Sequence, residues 1–350
     1  MVTMLSVGTK RVFAGTGPCG GWSGTLAQVW LDGGMPPYDA FLLVSFGGPE
    51  GPDDVMPFLE NVTAGRNVPR ARLETVAEHY LEFGGVSPIN EQCRELIAAL
   101  DLPLPVYWGN RNWKPYLTDT VREMTDAGVR RALAFVTSAY RSYSSCRQYL
   151  EDIERARVAA GPDAPVIDKI QRFYDNPGFT GPFADSLLAA LATRPQDAHV
   201  VFTAHSIPVA MAEVAGPGGG RYVAELTRAC RLISEQAGVH RSWTLAYTSR
   251  SGPPTQPWLE PDINDHLAEL AKEGVRAVVV APIGFVSDHM EVRQDLDVEA
   301  ARTAQSLGLA FTRAATPGVR LAPMIGELVR GHLAGEAPRA CPAGCCLRLA

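Results

Sequence analysis

The sequence predicts an α/β fold with two doubly wound, Rossmann-like halves, each built on a parallel sheet, and a cleft between them. Apolar, β-rich segments alternate with amphipathic helical patterns along the chain. The predicted strands are almost continuously apolar, which is typical of parallel sheets covered on both faces. Several strands run into polar or glycine-rich loops such as TAHSIP and TSRSGPP. Open α/β sheets bind ligands beyond such strand ends, so we expect the site there.

The elements follow one another in the order that this fold requires. Strands are predicted at 40–46, 104–110, 131–140, 198–205, 243–249 and 275–283. Amphipathic helices are predicted at 72–83, 90–100, 115–128, 219–238 and 258–274. The count places the N-terminal half at 36–170 and the C-terminal half at 171–335.

The two ends of the chain fall outside these halves. Residues 1–35 lack the firm apolar segment and cleavage site of a secretory signal. We interpret them as a disordered extension, or as the product of a start codon assigned too early, with Met35 as the true initiator. Residues 336–350 form a cysteine-rich tail that contains CPAGCC at 341–346.

Composition excludes several classes of protein. The 350 residues carry a net charge of −6, which argues against a nucleic-acid partner, and no apolar run is long enough for a membrane span. Seven cysteines, an odd number, do not suggest a disulfide framework and favour a reducing cytoplasm. Two of them, Cys93 and Cys230, lie in helical patterns and are predicted to be buried as small apolar residues.

Two segments carry residues suited to chemistry. VFTAHSIP delivers His205 to a strand end, which is where α/β folds place catalytic side chains, although a single histidine is often structural. The predicted helix after the last strand carries four acidic residues at spacings of three and four, which places them along one face: Asp288, Glu291, Asp295 and Glu299. This face is either a solvated acidic surface or a path for a divalent cation such as Fe²⁺.

Five segments, taken together and in order, resemble the ferrochelatases, enzymes that insert Fe²⁺ into a porphyrin. They are LLVSFGGPEGPDDVMPFLENV (42–62), FGGVSPINEQ (83–92), FTAHSIP (202–208), YTSRSGPPTQPWLEPD (247–262) and PIGFVSDHMEVRQDLDVEA (282–300). The resemblance covers about residues 39–325 and implies a lyase, a metal chelatase with a porphyrin and Fe²⁺ as its substrates.

The resemblance implies a role for each matching acidic and basic position. His205 and Glu291 would face each other across the cleft as the metal-insertion pair, with His205 accepting pyrrole protons or ligating iron. Asp295 and Glu299 would continue the acidic row that begins at Asp288, on a helix that contains a π-turn in relatives.

Other matching positions would contact the porphyrin. Ser87 and Tyr149 match residues that touch the macrocycle and its carboxylates, and Arg66 lies on a segment over the cleft that we call the lip (residues 63–72). Phe46 stands where some coproporphyrin-type relatives have Tyr, and it cannot ligate iron. An axial ligand would therefore come from elsewhere, with His205 the candidate.

The lip bears on the choice of porphyrin. Its sequence, TAGRNVPRAR, contains three arginines, which suit the four propionates of coproporphyrin III, giving Fe-coproporphyrin III (coproheme) in haem biosynthesis. These arginines are alternatively plain surface charges. Protoporphyrin IX is the alternative substrate, and relatives that use it have a more apolar lip.

Two further functions are open. One is a cobalt or nickel tetrapyrrole chelatase, although such proteins have more histidine-rich sites and here only His205 is expected to be well placed. The other is a non-enzymatic haem or iron–sulfur sensor. As partners we expect the porphyrin and transient contacts between a monomer and neighbouring haem-pathway enzymes.

The tail cysteines are one thiol short of the four that a tetrahedral zinc site or a [2Fe–2S] cluster usually needs. The chain resembles ferrochelatases that have one internal and three C-terminal cysteines, which together hold a [2Fe–2S] cluster. That resemblance implies a cluster on Cys146, Cys341, Cys345 and Cys346. Zinc and free thiols are the alternatives.

Overall fold

Two parallel, four-stranded sheets form the frame of the protein, which confirms the predicted fold class. A computed structural model describes residues 37–240, 242–252, 255–335, 341 and 344–348. The first sheet contains β1 (Ala40–Ser45), β2 (Val106–Asn110), β3 (Arg131–Val136) and β4 (Val166–Lys169) in the order β2-β1-β3-β4. The second contains β5 (His199–His205), β6 (Trp243–Thr248), β7 (Ala277–Ala281) and β8 (Ala310–Arg313) in the order β6-β5-β7-β8.

Helices connect the strands, as parallel pairing requires. The helices of the first half are α1 (Pro52–Val62), α2 (Arg70–Glu82), α3 (Ile89–Ala99), α4 (Leu117–Asp126) and α5 (Gln148–Ala160). Those that follow are α6 (Pro177–Leu191), α7 (Val209–Glu213), α8 (Arg221–Gln236), α9 (Ile263–Lys272), α10 (Met290–Val292), α11 (Ala301–Ser306) and α12 (Ala322–Leu333). Two π-helical turns, Tyr143–Arg147 and Arg293–Ala300, and one 3₁₀ turn, Gly318–Leu321, complete the description.

The two sheets share one strand order, so the chain changes direction at the same place in each. In the first sheet the crevice lies between β1 and β3, and in the second it lies between β5 and β7. Ligands bind at such switch points, beyond the carboxyl ends of the strands. Phe46 follows β1 and His205 ends β5, so both stand at these positions.

A single buried cluster joins the halves. It contains Phe41 and Phe135 from the first sheet, Phe202 from the second, and Phe179 and Phe183 from α6. The Phe179 ring lies 5.2 Å from the Phe183 ring, edge-on. Because both sheets contribute to one apolar core, the spacing between their strand ends is fixed by packing.

Several elements were not predicted from the sequence, among them β4, β8 and α6. β4 and β8 are four-residue edge strands, and partial exposure gives them no continuous apolar run. α6 contains Pro182, and a proline normally breaks a helix, so the sequence did not predict α6. Its first turn is capped by Asn176, whose Oδ1 accepts a hydrogen bond from the Gly178 amide at 2.8 Å.

The terminal and membrane predictions have different outcomes. The prediction for residues 1–35 lies outside the described residues. No helix in the described part of the chain is long and apolar enough to cross a membrane. Cys93 and Cys230 are buried, as predicted.

Truncating Phe179 should show how far the shared core stabilises the fold. Phe179 is fully buried, so we expect Phe179→Ala to lower the free energy of unfolding by about 3–5 kcal/mol, through lost burial and a residual cavity. Val158→Ala, at a position 73% exposed, is the control and should change it by no more than about 0.5 kcal/mol. Urea denaturation measures both, and equal effects would contradict the shared core.

Candidate active site

His205 and Glu291 lie together at the carboxyl ends of the second sheet. The His205 Nε2 atom is 3.7 Å from Glu291 Oε2, and the two side chains are 33% and 52% exposed. His205 ends β5 opposite Thr248 of β6, and Glu291 lies in α10, ten residues beyond the end of β7. The pair therefore combines one imidazole nitrogen and one carboxylate oxygen on an accessible surface.

The backbone fixes the tautomer of His205. Its Nδ1 atom is hydrogen-bonded to the carbonyl oxygen of Ser206. Because a carbonyl only accepts, Nδ1 carries a proton, and Nε2, the nitrogen on the side of Glu291, is the one that holds the lone pair in the neutral ring. That nitrogen is available to accept a proton or to ligate a metal.

His289 is a second histidine at the site, so the expectation that only His205 is well placed is wrong. Its Nδ1 atom lies 4.0 Å from Glu291 Oε2, and its ring packs edge-on against Phe285 at 5.0 Å. Burial lowers the pKa of His289 and so favours its neutral ring, although the negative charge of Glu291 acts in the opposite direction. The sequence feature that could have identified His289 is its place two residues before Glu291, in the loop after β7.

The acidic residues do not form one continuous row. Asp288 lies before the helix, where Arg313 binds both of its oxygens at 3.0 Å and Thr316 donates to it at 2.9 Å. The spacing of the acidic residues does not reveal this pairing, because Arg313 lies 25 residues beyond Asp288. Asp288 is thus neutralised in an ion pair, which corrects its assignment to the row.

The remaining carboxylates lie on a π-helix. Arg293–Ala300 is π-helical, which confirms the π-turn that the resemblance implied. Glu299 accepts a hydrogen bond from Gln294 at 3.1 Å. Asp295 accepts one from Ser249, whose backbone has the left-handed φ of 62°.

Asp295 is the carboxyl with the most perturbed ionisation. Burial raises its pKa to about 7, the hydrogen bond from Ser249 opposes this, and the charges of Glu291 and Glu299 add to it. Asp295 therefore changes protonation near neutral pH.

An aromatic cluster of the first half lies near Glu291, whose charge acts on Tyr80. We call Phe46, Phe58 and Tyr80 the aromatic wall. Phe46 is 37% exposed and contacts Phe58 edge-on at 6.4 Å, and Tyr80 lies 5.9 Å from Phe58. Burial and the charge of Glu291 both raise the pKa of Tyr80, so the wall lies within electrostatic reach of the second half.

Ser87 and Tyr149, predicted to contact the porphyrin, are both buried. A Cβ added at Gly48 would lie 2.6 Å from Ser87 Cβ, so the two residues are in close contact. The Arg111 guanidinium covers the Tyr149 ring at 5.0 Å and pairs with Asp152 at 2.9 Å. Neither predicted residue offers much surface to a ligand in this arrangement.

The arginines of the lip differ in their surroundings. Arg66 and Arg72 are exposed. Arg70 forms ion pairs with Glu60 and Glu74, each at 3.1 Å. The positive charge of the lip is therefore partly compensated.

The structure brings Cys146 and the tail cysteines together. Cys146 lies in the π-helical turn after β3, and its thiol is hydrogen-bonded to Cys341. Cys341 is also hydrogen-bonded to Cys345. The Cys345 and Cys346 sulfurs are 3.5 Å apart, and Gly216 donates its amide hydrogen to Cys346 Sγ at 3.1 Å. All four remain free thiols.

Cations accompany these thiols. The hydrogen bond with Cys146 is the main cause that lowers the pKa of Cys341 to about 5, against burial, and the charges of Arg141 and Lys169 act in the same direction. Within the described residues, no group of three or more His, Cys, Asp or Glu side chains is arranged to hold a metal ion. The predicted [2Fe–2S] cluster is therefore not shown.

Comparison with known proteins identifies the family. The chain matches the ferrochelatase family over residues 38–333. It is 51% identical over 350 residues to the coproporphyrin III ferrochelatase of Streptomyces griseus, covering 89% of this chain and 93% of that protein. It is 53% identical over 339 residues to the coproporphyrin III ferrochelatase of Nocardia farcinica, covering 88% of this chain and 96% of that protein.

One solved structure has a similar fold. SirB from Bacillus subtilis with Fe³⁺ superposes with a TM-score of 0.52 at 14% identity, covering 85% of this chain and 95% of that one. This likeness concerns the fold: the two α/β halves of this chain have the same overall arrangement as that protein. The chain belongs to the ferrochelatase family.

The raised pKa of Asp295 predicts a pH dependence of stability. A carboxyl whose folded pKa is about 7 rather than 3.8 keeps its proton in the folded state over this interval, while the unfolded state loses it. The free energy of unfolding should therefore fall as the pH rises from 4 to 7. Asp295→Asn should flatten this fall in urea titrations across that range. An unchanged slope would contradict the assignment.

Proposed function

We propose that the protein is a ferrochelatase that inserts Fe²⁺ into coproporphyrin III, giving Fe-coproporphyrin III in haem biosynthesis. The observation that carries this proposal is the His205–Glu291 pair, with Nε2 and Oε2 3.7 Å apart at the switch point of the second sheet. A nitrogen and a carboxylate oxygen suit a first-row divalent ion. The relatives named above give the substrate.

The chemistry needs two porphyrin N–H protons to leave as the metal enters. In the neutral ring of His205, Nε2 holds the lone pair because Nδ1 donates to the Ser206 carbonyl, so Nε2 can take a proton or hold the incoming ion. His289 is kept neutral by burial and is a second base beside Glu291. Asp295, with a pKa of about 7, can pass a proton onward near neutral pH.

The aromatic wall suits the other surface of the porphyrin. A flat apolar macrocycle packs against aromatic rings, and Phe46 exposes its face at the end of β1. Phe46 has no donor atom, so any protein ligand to the iron in this cleft comes from the second half. His205 is the candidate.

The lip supports the choice of coproporphyrin III. Arg66 and Arg72 are exposed guanidinium groups that can pair with propionate carboxylates. Leu81 and Val86, 50% and 44% exposed, would favour the more apolar protoporphyrin IX. These two substrates therefore need a direct competition.

Metallation under anaerobic conditions tests the proposed function. With Fe²⁺ and equal amounts of the two porphyrins, we expect faster loss of free coproporphyrin III than of protoporphyrin IX, followed by absorbance. His205→Ala should lower turnover by about 10²-fold or more, because it removes the proton acceptor.

His199→Ala is the matched control, since His199 lies at the other end of β5 and bonds Thr244 at 3.0 Å. It should retain turnover within about twofold, as a position distant from the chemistry. Failure of the folded protein to metallate either porphyrin would refute the enzyme. Preference for protoporphyrin IX would refute the substrate alone.

We also propose that Cys146, Cys341, Cys345 and Cys346 hold a [2Fe–2S] cluster. A [2Fe–2S] cluster is held by four cysteine thiolates, which is the number of cysteines brought together here. The support is the donor set: four contacting thiols beside Arg141 and Lys169, whose charges offset thiolates. When bound, such a cluster supplies a one-electron redox centre.

The colour of the purified protein tests the cluster. We expect a brown protein with about two iron atoms and two acid-labile sulfides per chain. Cys146→Ser should remove the visible absorbance, and Cys93→Ser, at a buried thiol in α3, should keep it. A colourless wild-type protein that contains zinc, or only free thiols, would refute the proposal.

A cytoplasmic location and a monomeric state remain part of the proposal. The six described cysteines are all free thiols, which agrees with a reducing compartment. Contacts with other haem-pathway enzymes would be transient.

A further inference from the structure

Two buried tyrosines contact the segments that carry the metal-insertion pair. We propose that Tyr140 and Tyr222 are positioning residues, whose hydroxyls set the separation of His205 and Glu291. This inference rests on the proposed function, because it concerns the same reaction. Neither tyrosine was singled out in the sequence.

Each hydroxyl donates to a backbone carbonyl at the site. The Tyr222 hydroxyl bonds the carbonyl oxygen of His205 itself at 2.7 Å. The Tyr140 hydroxyl bonds the carbonyl oxygen of Ile283 at 2.9 Å. Ile283 follows β7 at the start of the loop that leads to Glu291. One tyrosine therefore holds each side of the pair.

These bonds act where the pairing of β5 with β7 has ended, although His205 is still paired with Thr248 of β6. The β5–β7 ladder ends at the Phe202–Ala281 partners, three residues before His205. Beyond it, the Gly284 amide donates to the Thr203 carbonyl at 3.0 Å. A Cβ at Gly284 would lie 2.6 Å from Ala204 Cα, so the loop and β5 are in tight contact. The tyrosines extend this contact to the chemistry.

The two rings form one unit. Their centroids are 6.4 Å apart in an edge-on contact, and both rings are buried. Tyr140 also packs edge-on against Phe179 of the shared core at 6.1 Å. A shift of either ring would therefore displace the other, and so both carbonyls.

A buried ion pair joins the two segments that carry these tyrosines. Arg141 follows Tyr140, and Glu225 lies one turn after Tyr222 on α8. The Arg141 amide donates to Glu225 Oε2 at 2.9 Å, and its guanidinium pairs with Oε1. Both side chains are at most a tenth exposed. Removing this pair would leave a buried charge, so deleting single hydroxyls is the cleaner test.

The test compares Tyr222→Phe and Tyr140→Phe with wild-type protein. Removing a hydroxyl keeps each ring but frees one carbonyl, which lets the pair drift from its productive spacing. We expect kcat to fall by about tenfold in each variant, since small misplacements of reacting groups are costly. KM for the porphyrin should stay within about twofold, because the aromatic wall is untouched.

Tyr38→Phe is the matched control. Tyr38 is also buried and interacts with Asp168, but it precedes β1 and so lies at the amino end of that strand, in the first sheet. A similar loss of thermal stability is expected in all three variants, with kcat unchanged only in Tyr38→Phe. That split separates positioning from a structural role.

The double variant Tyr140→Phe/Tyr222→Phe sharpens the result. Because the two hydroxyls hold opposite sides of one gap, its loss in kcat should be less than the product of the single losses. If kcat of both single variants stays within about twofold of the Tyr38→Phe value, the inference is overturned. If one single variant does not fold, the other decides. A wild-type protein without turnover would instead defeat the proposed function.

Discussion

The parallel pairing of β5 with β7 is the constraint on which the site depends. His205 ends one strand and Glu291 follows the other. Because parallel strands end at the same edge of a sheet, the pairing brings residues far apart in sequence within 3.7 Å. The strand order puts the switch-point crevice of this sheet between β5 and β7.

Packing keeps that crevice in register with the first half. Phe135 and Phe202 belong to one apolar cluster although they lie in different sheets. The aromatic wall consequently stays near Glu291, whose charge reaches Tyr80. Both halves, rather than any single loop, therefore contribute side chains to the candidate site, apolar ones from the first half and polar ones from the second.

The sequence predicts what depends on local pattern and leaves out what depends on distant partners. Apolar runs located six of the eight described strands, but β4 and β8 are short, half-exposed edge strands without such a run. The spacing of acidic residues suggested one row, whereas Arg313 removes Asp288 from it. His289 was missed because its contact with Glu291 depends on the shape of a loop. The association of Cys146 with the tail was inferred only from the family resemblance.

The most direct test of the central claim is to locate a bound divalent ion. Co²⁺ can stand in for the Fe²⁺ substrate, and diffraction at the cobalt absorption edge distinguishes it from any iron already in the protein. The account predicts an anomalous peak within coordination distance of His205 Nε2 and a Glu291 carboxylate oxygen, absent in Glu291→Gln. A peak that contacts neither residue, or one unaffected by that substitution, would contradict it.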